Sequence, residues 1–179
     1  PFSCYRALRF TAAPILQDVF MALAEGRSPP AGFNHGRLYV IPKDTSYTID
    51  RTRPIVVNNA ANRILTSVMV ELVTPALQHL IEASQKGFIE GRQGTEHVVD
   101  LNTLFYDGIR QRENVFILFL DTEKAFDSVD QQFIAAVLNR ICMPPWCIDF
   151  IMSLFVDVLV FPVLSEKTST SIKIERGVK

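Results

Sequence analysis

Cysteine is scarce. Cys4, Cys142 and Cys147 are an odd number with no C-x-x-C pair, so they cannot close a disulfide framework. His35, His79 and His97 all lie away from the cysteines in sequence, which argues against a zinc cluster. A G-x-x-x-x-G-K-[ST] phosphate loop is missing, and with it the P-loop nucleotidases. The most apolar stretch, Ile141 to Leu164, is broken by Pro144, Pro145, Asp149 and Asp157 and cannot serve as a membrane span. Internal repeats and low-complexity tracts are absent. So is an excess of charge: 18 basic against 19 acidic residues leave −1 and announce no nucleic-acid partner. No basic-then-apolar leader opens the chain, which starts at Pro rather than Met and reads as cut from a longer, intracellular protein with reduced thiols.

What remains is 179 residues, 48% apolar and 21% charged, enough for one domain or two small lobes around a core. Ile15, Val19, Phe20 and Leu23 recur at helical spacing, which predicts a helix over Ala12–Gly26 with Gly26 as its stop. Residues 27–36 (RSPPAGFNHG) are loop by composition. Two extended runs, 37–41 and 51–57, flank a turn-rich piece and predict a β-hairpin, with Pro54 confining the second run to an edge. Asn58 or Asn59 caps a long helix that Pro75 should kink or restart. Residues 85–94 hold three glycines and read as a structured loop, and 95–112 as an amphipathic helix.

The run 115–120 (VFILFL) shows no alternation, so it predicts a central strand buried on both faces and ending in Asp121. Ser128 and Gln131 fit an S-x-x-Q capping box for a helix to about Cys142, with Asp127 as another candidate cap. Pro145 suits the first turn of a helix to about Phe155. Two strands, 158–164 and 171–175, then follow around a polar turn.

A carboxylate at the end of a buried strand suits Mg²⁺, although an Asp there also simply caps a strand. The context of Asp121 adds more. Residues 119–130 (FLDTEKAFDSVD) resemble the first palm motif of reverse transcriptases, in the form found in non-LTR retrotransposons. Other pieces follow in the family's order: Tyr39-Val40-Ile41-Pro42-Lys43, then Arg53-Pro54-Ile55, then the Q-x-G-F-x-x-G-R string at 85–92. Arg176-Gly177-Val178-Lys179 resembles the opening of R-G-x-x-Q-G. Residues 1–36 carry little of the likeness.

The resemblance implies an α+β fold, a partial right-hand fingers and palm with a β-hairpin and helices in the fingers and the start of a ferredoxin-like palm. Its expected boundaries are an N-terminal helix and loop at 1–36, fingers at 37–112 and the first part of the palm at 113–179. It implies an RNA-directed DNA polymerase using two Mg²⁺ ions, with Mn²⁺ as a substitute. Asp121 and the Thr122 carbonyl are the implied metal ligands, and Asp121 the catalytic carboxylate. Arg53 and Lys43 would meet the incoming triphosphate, since guanidinium forks grip phosphate oxygens and lysine acts as a point charge. Phe126 would exclude a 2′-hydroxyl by clash. Gln85, Gly87, Phe88, Gly91, Arg92, Arg176 and Gly177 would line the template.

The implied partners are an RNA template, a DNA primer, deoxynucleoside triphosphates and the remaining palm and thumb of the same polypeptide, with no membrane and work in the nucleus. The family's aromatic-x-Asp-Asp element is not in this chain, where no two aspartates are adjacent. The expectation is therefore a fragment inactive by itself. The alternative is a reverse-transcriptase-like protein that binds nucleic acid without catalysis, and a generic α/β domain ranks last. The neutral total also hides a local excess: residues 31–63 hold five basic side chains (Arg37, Lys43, Arg51, Arg53, Arg63) against Asp44 and Asp50.

Overall fold

The computed structural model describes residues 2–45, 48, 51–112, 114–164, 167, 168 and 170–177. The chain divides into two compact units, one of residues 1–69 with 124–179 and the other of residues 70–123. The fold is α+β, as the sequence predicts. Parts of the turn between the two hairpin runs and of the turn before residue 171 fall outside the described residues.

In the first unit, α1 (Phe2–Ala7) and α2 (Arg9–Ala24) precede the hairpin of β1 (Gly36–Pro42) and β2 (Thr52–Asn58). The start of α3 (Ala60–Gln78), then α5 (Gln131–Arg140), α6 (Pro145–Ser153), β3 (Leu159–Leu164), β4 (Lys167–Thr168) and β5 (Ile172–Lys173) complete it. Helix α2 begins three residues before the predicted start, and Gly26 follows it at φ 74°, the left-handed conformation that ends helices. β1 pairs antiparallel with β2, with Ile41 opposite Arg53, and parallel with β3, with Leu38 opposite Pro162. β3 also pairs antiparallel with β4 and β5. β2 is therefore an edge, where Pro54 removes no ladder bond that a neighbour needs.

The core lies where α2 meets α6 and the sheet. Leu23 and Phe150 are fully buried, Val158 and Val160 nearly so, and the Phe20 ring sits 4.7 Å from that of Phe150. At the same place Asn34 and Asn62, both buried, make a polar joint that composition did not reveal. Asn34 Nδ2 donates to the carbonyls of Ser153 (2.8 Å), which also accepts from the Val156 amide, and of Val156 (2.7 Å), in the turn that follows α6. Asn62 Nδ2 donates to Asn34 Oδ1 at 2.9 Å. One side chain thus ties the loop before β1 to α3 and α6.

Asn59 Oδ1 accepts from the Ala61 amide and caps α3, as expected, and the helix runs on through Pro75. The capping box at Ser128 does not form. Helix α5 starts at Gln131, and Asp130 caps it by accepting from the Gln132 amide at 2.7 Å, so neither Ser128 nor Asp127 has that task. An Ncap carboxylate bonds the amides that follow it, and Asp130 alone stands next to the first turn. Pro145 opens α6 at its first position, and the helix ends at Ser153, two residues early.

The second unit holds the rest of α3, the loop 79–94, α4 (Thr95–Gln111) and the segment to Glu123. Arg112 ends α4 at φ 56°. Here the sequence reading fails once. Residues 115–120 form no strand; Phe116 is 90% exposed and Leu120 85%. A strand buried on both faces needs a hydrogen-bonded neighbour and two covering layers. Among the described residues the run has no partner strand. Its apolarity states a demand for cover, and nothing in the described ladder meets it.

Candidate nucleotide and template interface

The β1–β2 register decides which hairpin side chains share a face. Facing residues of an antiparallel pair project to the same side, and every second residue along a strand does too. Arg37, Tyr39 and Ile41 therefore share a face with Val57, Ile55 and Arg53. The ladder continues one step, since the Lys43 amide donates to the Arg51 carbonyl at 2.8 Å. All four basic residues of the hairpin thus fall on one side. Arg51 is held by Asp44 at 2.9 Å, while no ion partner is found for Arg37, Lys43 or Arg53 among the described residues. Arg53 and Lys43 are exposed.

At the base of this face is a cavity of about 460 Å³, bordered by His35, Arg37, Tyr39, Asn58, Asn59 and Phe161. Sequence reasoning missed it, because β3 returns Phe161 to a position opposite Arg37 from more than a hundred residues away.

The loop 85–92 behaves otherwise than its glycines imply. Gly91 does take a positive φ (79°), but Gly87 does not, and Phe88 has φ 61° instead. A bulky residue in that region is a strained outlier, and Phe88 holds its ring 93% exposed. Gln85 Nε2 donates to the Gly87 carbonyl. The Arg92 guanidinium donates to the carbonyls of Ile81, Glu82 and Gln85, so it fastens the loop's own backbone. Lys86 bonds Glu96 and holds its carboxyl below the ordinary range, chiefly through the hydrogen bond and then through its charge.

Asp121 and Thr122 are exposed in the irregular segment described above, not at the end of a strand. Phe126 stands in a turn over 124–128 that the Ser128 amide closes on the Lys124 carbonyl at 3.0 Å, with Lys124 at φ 53°. Arg176 and Gly177 reach the exit of the same turn, where the Gly177 amide donates to the Val129 carbonyl at 2.9 Å. No three His, Cys, Asp or Glu side chains cluster as metal ligands among the described residues. Asp121 brings one carboxylate, so this donor set does not by itself make a two-ion centre.

The first unit can grip polyanions on its hairpin and holds Phe126 exposed, and the second unit holds Phe88 exposed. No described helix is long and apolar enough to cross a membrane. The family model described as reverse transcriptase (RNA-dependent DNA polymerase) matches residues 41–179. The chain belongs to that family.

Proposed function

We propose that this family member supplies the nucleotide- and template-gripping part of an RNA-directed DNA polymerase of the non-LTR retroelement type, working in the nucleus on an RNA template and a DNA primer. The observation that carries the reading is the shared face of Arg37, Lys43 and Arg53, with Arg51 drawn off by Asp44. Arg53 and Lys43 meet the triphosphate of the incoming deoxynucleotide. Phe126 stands against its sugar. Phe88 offers a stacking surface for a template base, and Arg92 stiffens the loop that presents it. Gln85, Gly87 and Gly91 in the second unit, and Arg176 and Gly177 in the first, are each template contacts by the family resemblance.

Divalent cations, Mg²⁺ above all, belong to the chemistry of this family. In this chain Asp121 and the Thr122 carbonyl contribute one carboxylate and one carbonyl to a centre that other residues must complete. The chain is a partial catalytic domain in this reading and is inactive alone.

The irregular setting of Asp121 favours a second reading, a nucleic-acid-binding protein that has kept the grip and lost the chemistry. Template–primer extension by the polymerase that carries this chain separates the two. Asp121→Asn should abolish extension, and Arg53→Ala should raise the KM for deoxynucleotides by roughly tenfold or more, the cost of a charge-assisted hydrogen bond. Extension that survives Asp121→Asn removes the carboxylate role. Nucleic-acid binding with no extension under any divalent ion supports the second reading.

A further inference from the structure

Gly177 lies against the backbone of Asp127, the residue after Phe126. A Cβ built on Gly177 would stand 2.6 Å from the Asp127 carbonyl oxygen, 2.8 Å from its Cα and 2.9 Å from its carbonyl carbon. These are backbone atoms, so no rotamer change can make room. The glycine also has φ +87°, a conformation that a side chain disfavours. Its amide donates to the Val129 carbonyl, which fixes the approach from a second point.

From this we infer that Gly177 is a positioning residue: it buttresses the 124–128 turn and so sets where the Phe126 ring stands. The inference rests on the reading of Phe126 as the group that rejects a 2′-hydroxyl. The turn is closed internally by one backbone bond, Ser128 to Lys124. That bond and the Ser128 hydroxyl, which donates to the Ala125 carbonyl at 3.4 Å, hold the turn's shape. Gly177 bears on its exit side, and a side chain at 177 pushes Asp127 away and carries Phe126 with it through the shared peptide. Discrimination by steric clash depends on the ring lying within a fraction of an ångström of its working place.

The test compares ribonucleotide with deoxynucleotide incorporation in the polymerase that carries this chain. The readout is the ratio of the two kcat/KM values. A variant that merely folds less well loses active enzyme and leaves this ratio untouched. Gly177→Ala should raise the relative use of ribonucleotides on the order of tenfold, with a smaller change in the deoxynucleotide kcat. Gly177→Asn should do the same, and because Asn tolerates positive φ it isolates the clash from the backbone strain. Phe126→Ala runs beside them.

If Phe126→Ala shifts the ratio and both Gly177 variants leave it at the wild-type value, the buttress is refuted while the sugar-contact reading stands. If Phe126→Ala itself leaves the ratio unchanged, that reading falls and the buttress falls with it. Should the Gly177 variants be inactive, 4-fluorophenylalanine placed at 126 in this chain gives a direct view. A ¹⁹F resonance shifted or broadened by Gly177→Asn supports the proposal, and an unchanged resonance overturns it.

Discussion

Two apolar segments of similar composition have opposite fates. Residues 147–153 of α6 (CIDFIMS) bury Cys147, Phe150 and Ser153, while residues 115–120 (VFILFL), the more hydrophobic of the two, are largely exposed. Helix α6 satisfies its own backbone, needs cover on one side only, and receives it from α2. An extended run has neither advantage. It must find hydrogen-bonded neighbours before its side chains gain anything from burial. Burial is decided by whether a segment's backbone and its covering surface are both supplied.

The sharpest way to break that contrast is to cut the same ring from both segments. Phe150→Ala removes a fully buried side chain whose ring packs at a tilt against Phe20 and should cost about 3–5 kcal/mol of unfolding free energy. Phe116→Ala should stay within about 0.5 kcal/mol, as exposed sites do. Denaturant titration of both variants beside the parent chain measures the difference. Equal losses would mean that residues 115–120 are covered in solution.

The same contrast explains how far the sequence could be read. Features of local origin were legible: the hairpin with Pro54 on its edge, the Asn59 cap, Gly26 after α2 and Pro145 at the start of α6. The caps and stops depend on a residue's own φ or on a partner two positions away, and the hairpin on two runs joined by one short turn. The Asp130 cap was missed because Ser128 offers the same chemistry at nearly the same place. The strand at 115–120 was misread because apolarity does not by itself supply the hydrogen-bonded neighbours a strand needs, and none is present among the described residues. Of the candidate site, the shared face of Arg51 and Arg53 follows from alternation, whereas the place of Lys43 on that face depends on the hairpin register, and the cavity beside Arg37, the task of Arg92 and the approach of Gly177 to Asp127 depend on contacts that spacing does not encode.

A smaller effect should come from the polar joint that completes the α6 side of the comparison. Asn34→Ala removes the partner of the buried Asn62 amide and of the part-buried Val156 carbonyl, while the Ser153 carbonyl keeps the Val156 amide. An unpaired buried polar group costs roughly 1–3 kcal/mol, but water that enters the vacated space recovers part of it, so a total of about 2–3 kcal/mol is expected. Asn34→Asp should be no better, since a carboxylate donates nothing to two carbonyls. Chemical denaturation of the two variants checks this. A loss below about 0.5 kcal/mol would show that the joint is already hydrated and not a structural tie.

The smallest effect belongs to the second unit, whose described ion pair lies at the surface. Lys86 lowers the pKa of Glu96, an exposed carboxyl in the first turn of α4, where a negative charge also favours the helix terminus. A carboxyl whose folded pKa is depressed binds protons more readily in the unfolded chain. Its contribution is therefore complete above the ordinary carboxylate value near 4.5 and is lost as pH falls through the depressed one. The pair is exposed enough for salt to screen it, so the contribution should shrink with ionic strength. Side-chain NMR titration of Glu96 should give a midpoint below that of an unstructured glutamate, moving back toward it in Lys86→Ala and in high salt. Amide protection factors in the loop 85–94, taken relative to intrinsic exchange at each pH, should fall over the same pH interval and stay flat in Glu96→Gln. A Glu96 midpoint at or above the ordinary value would detach this loop from electrostatics and leave Arg92, with its three carbonyls, as its fastening.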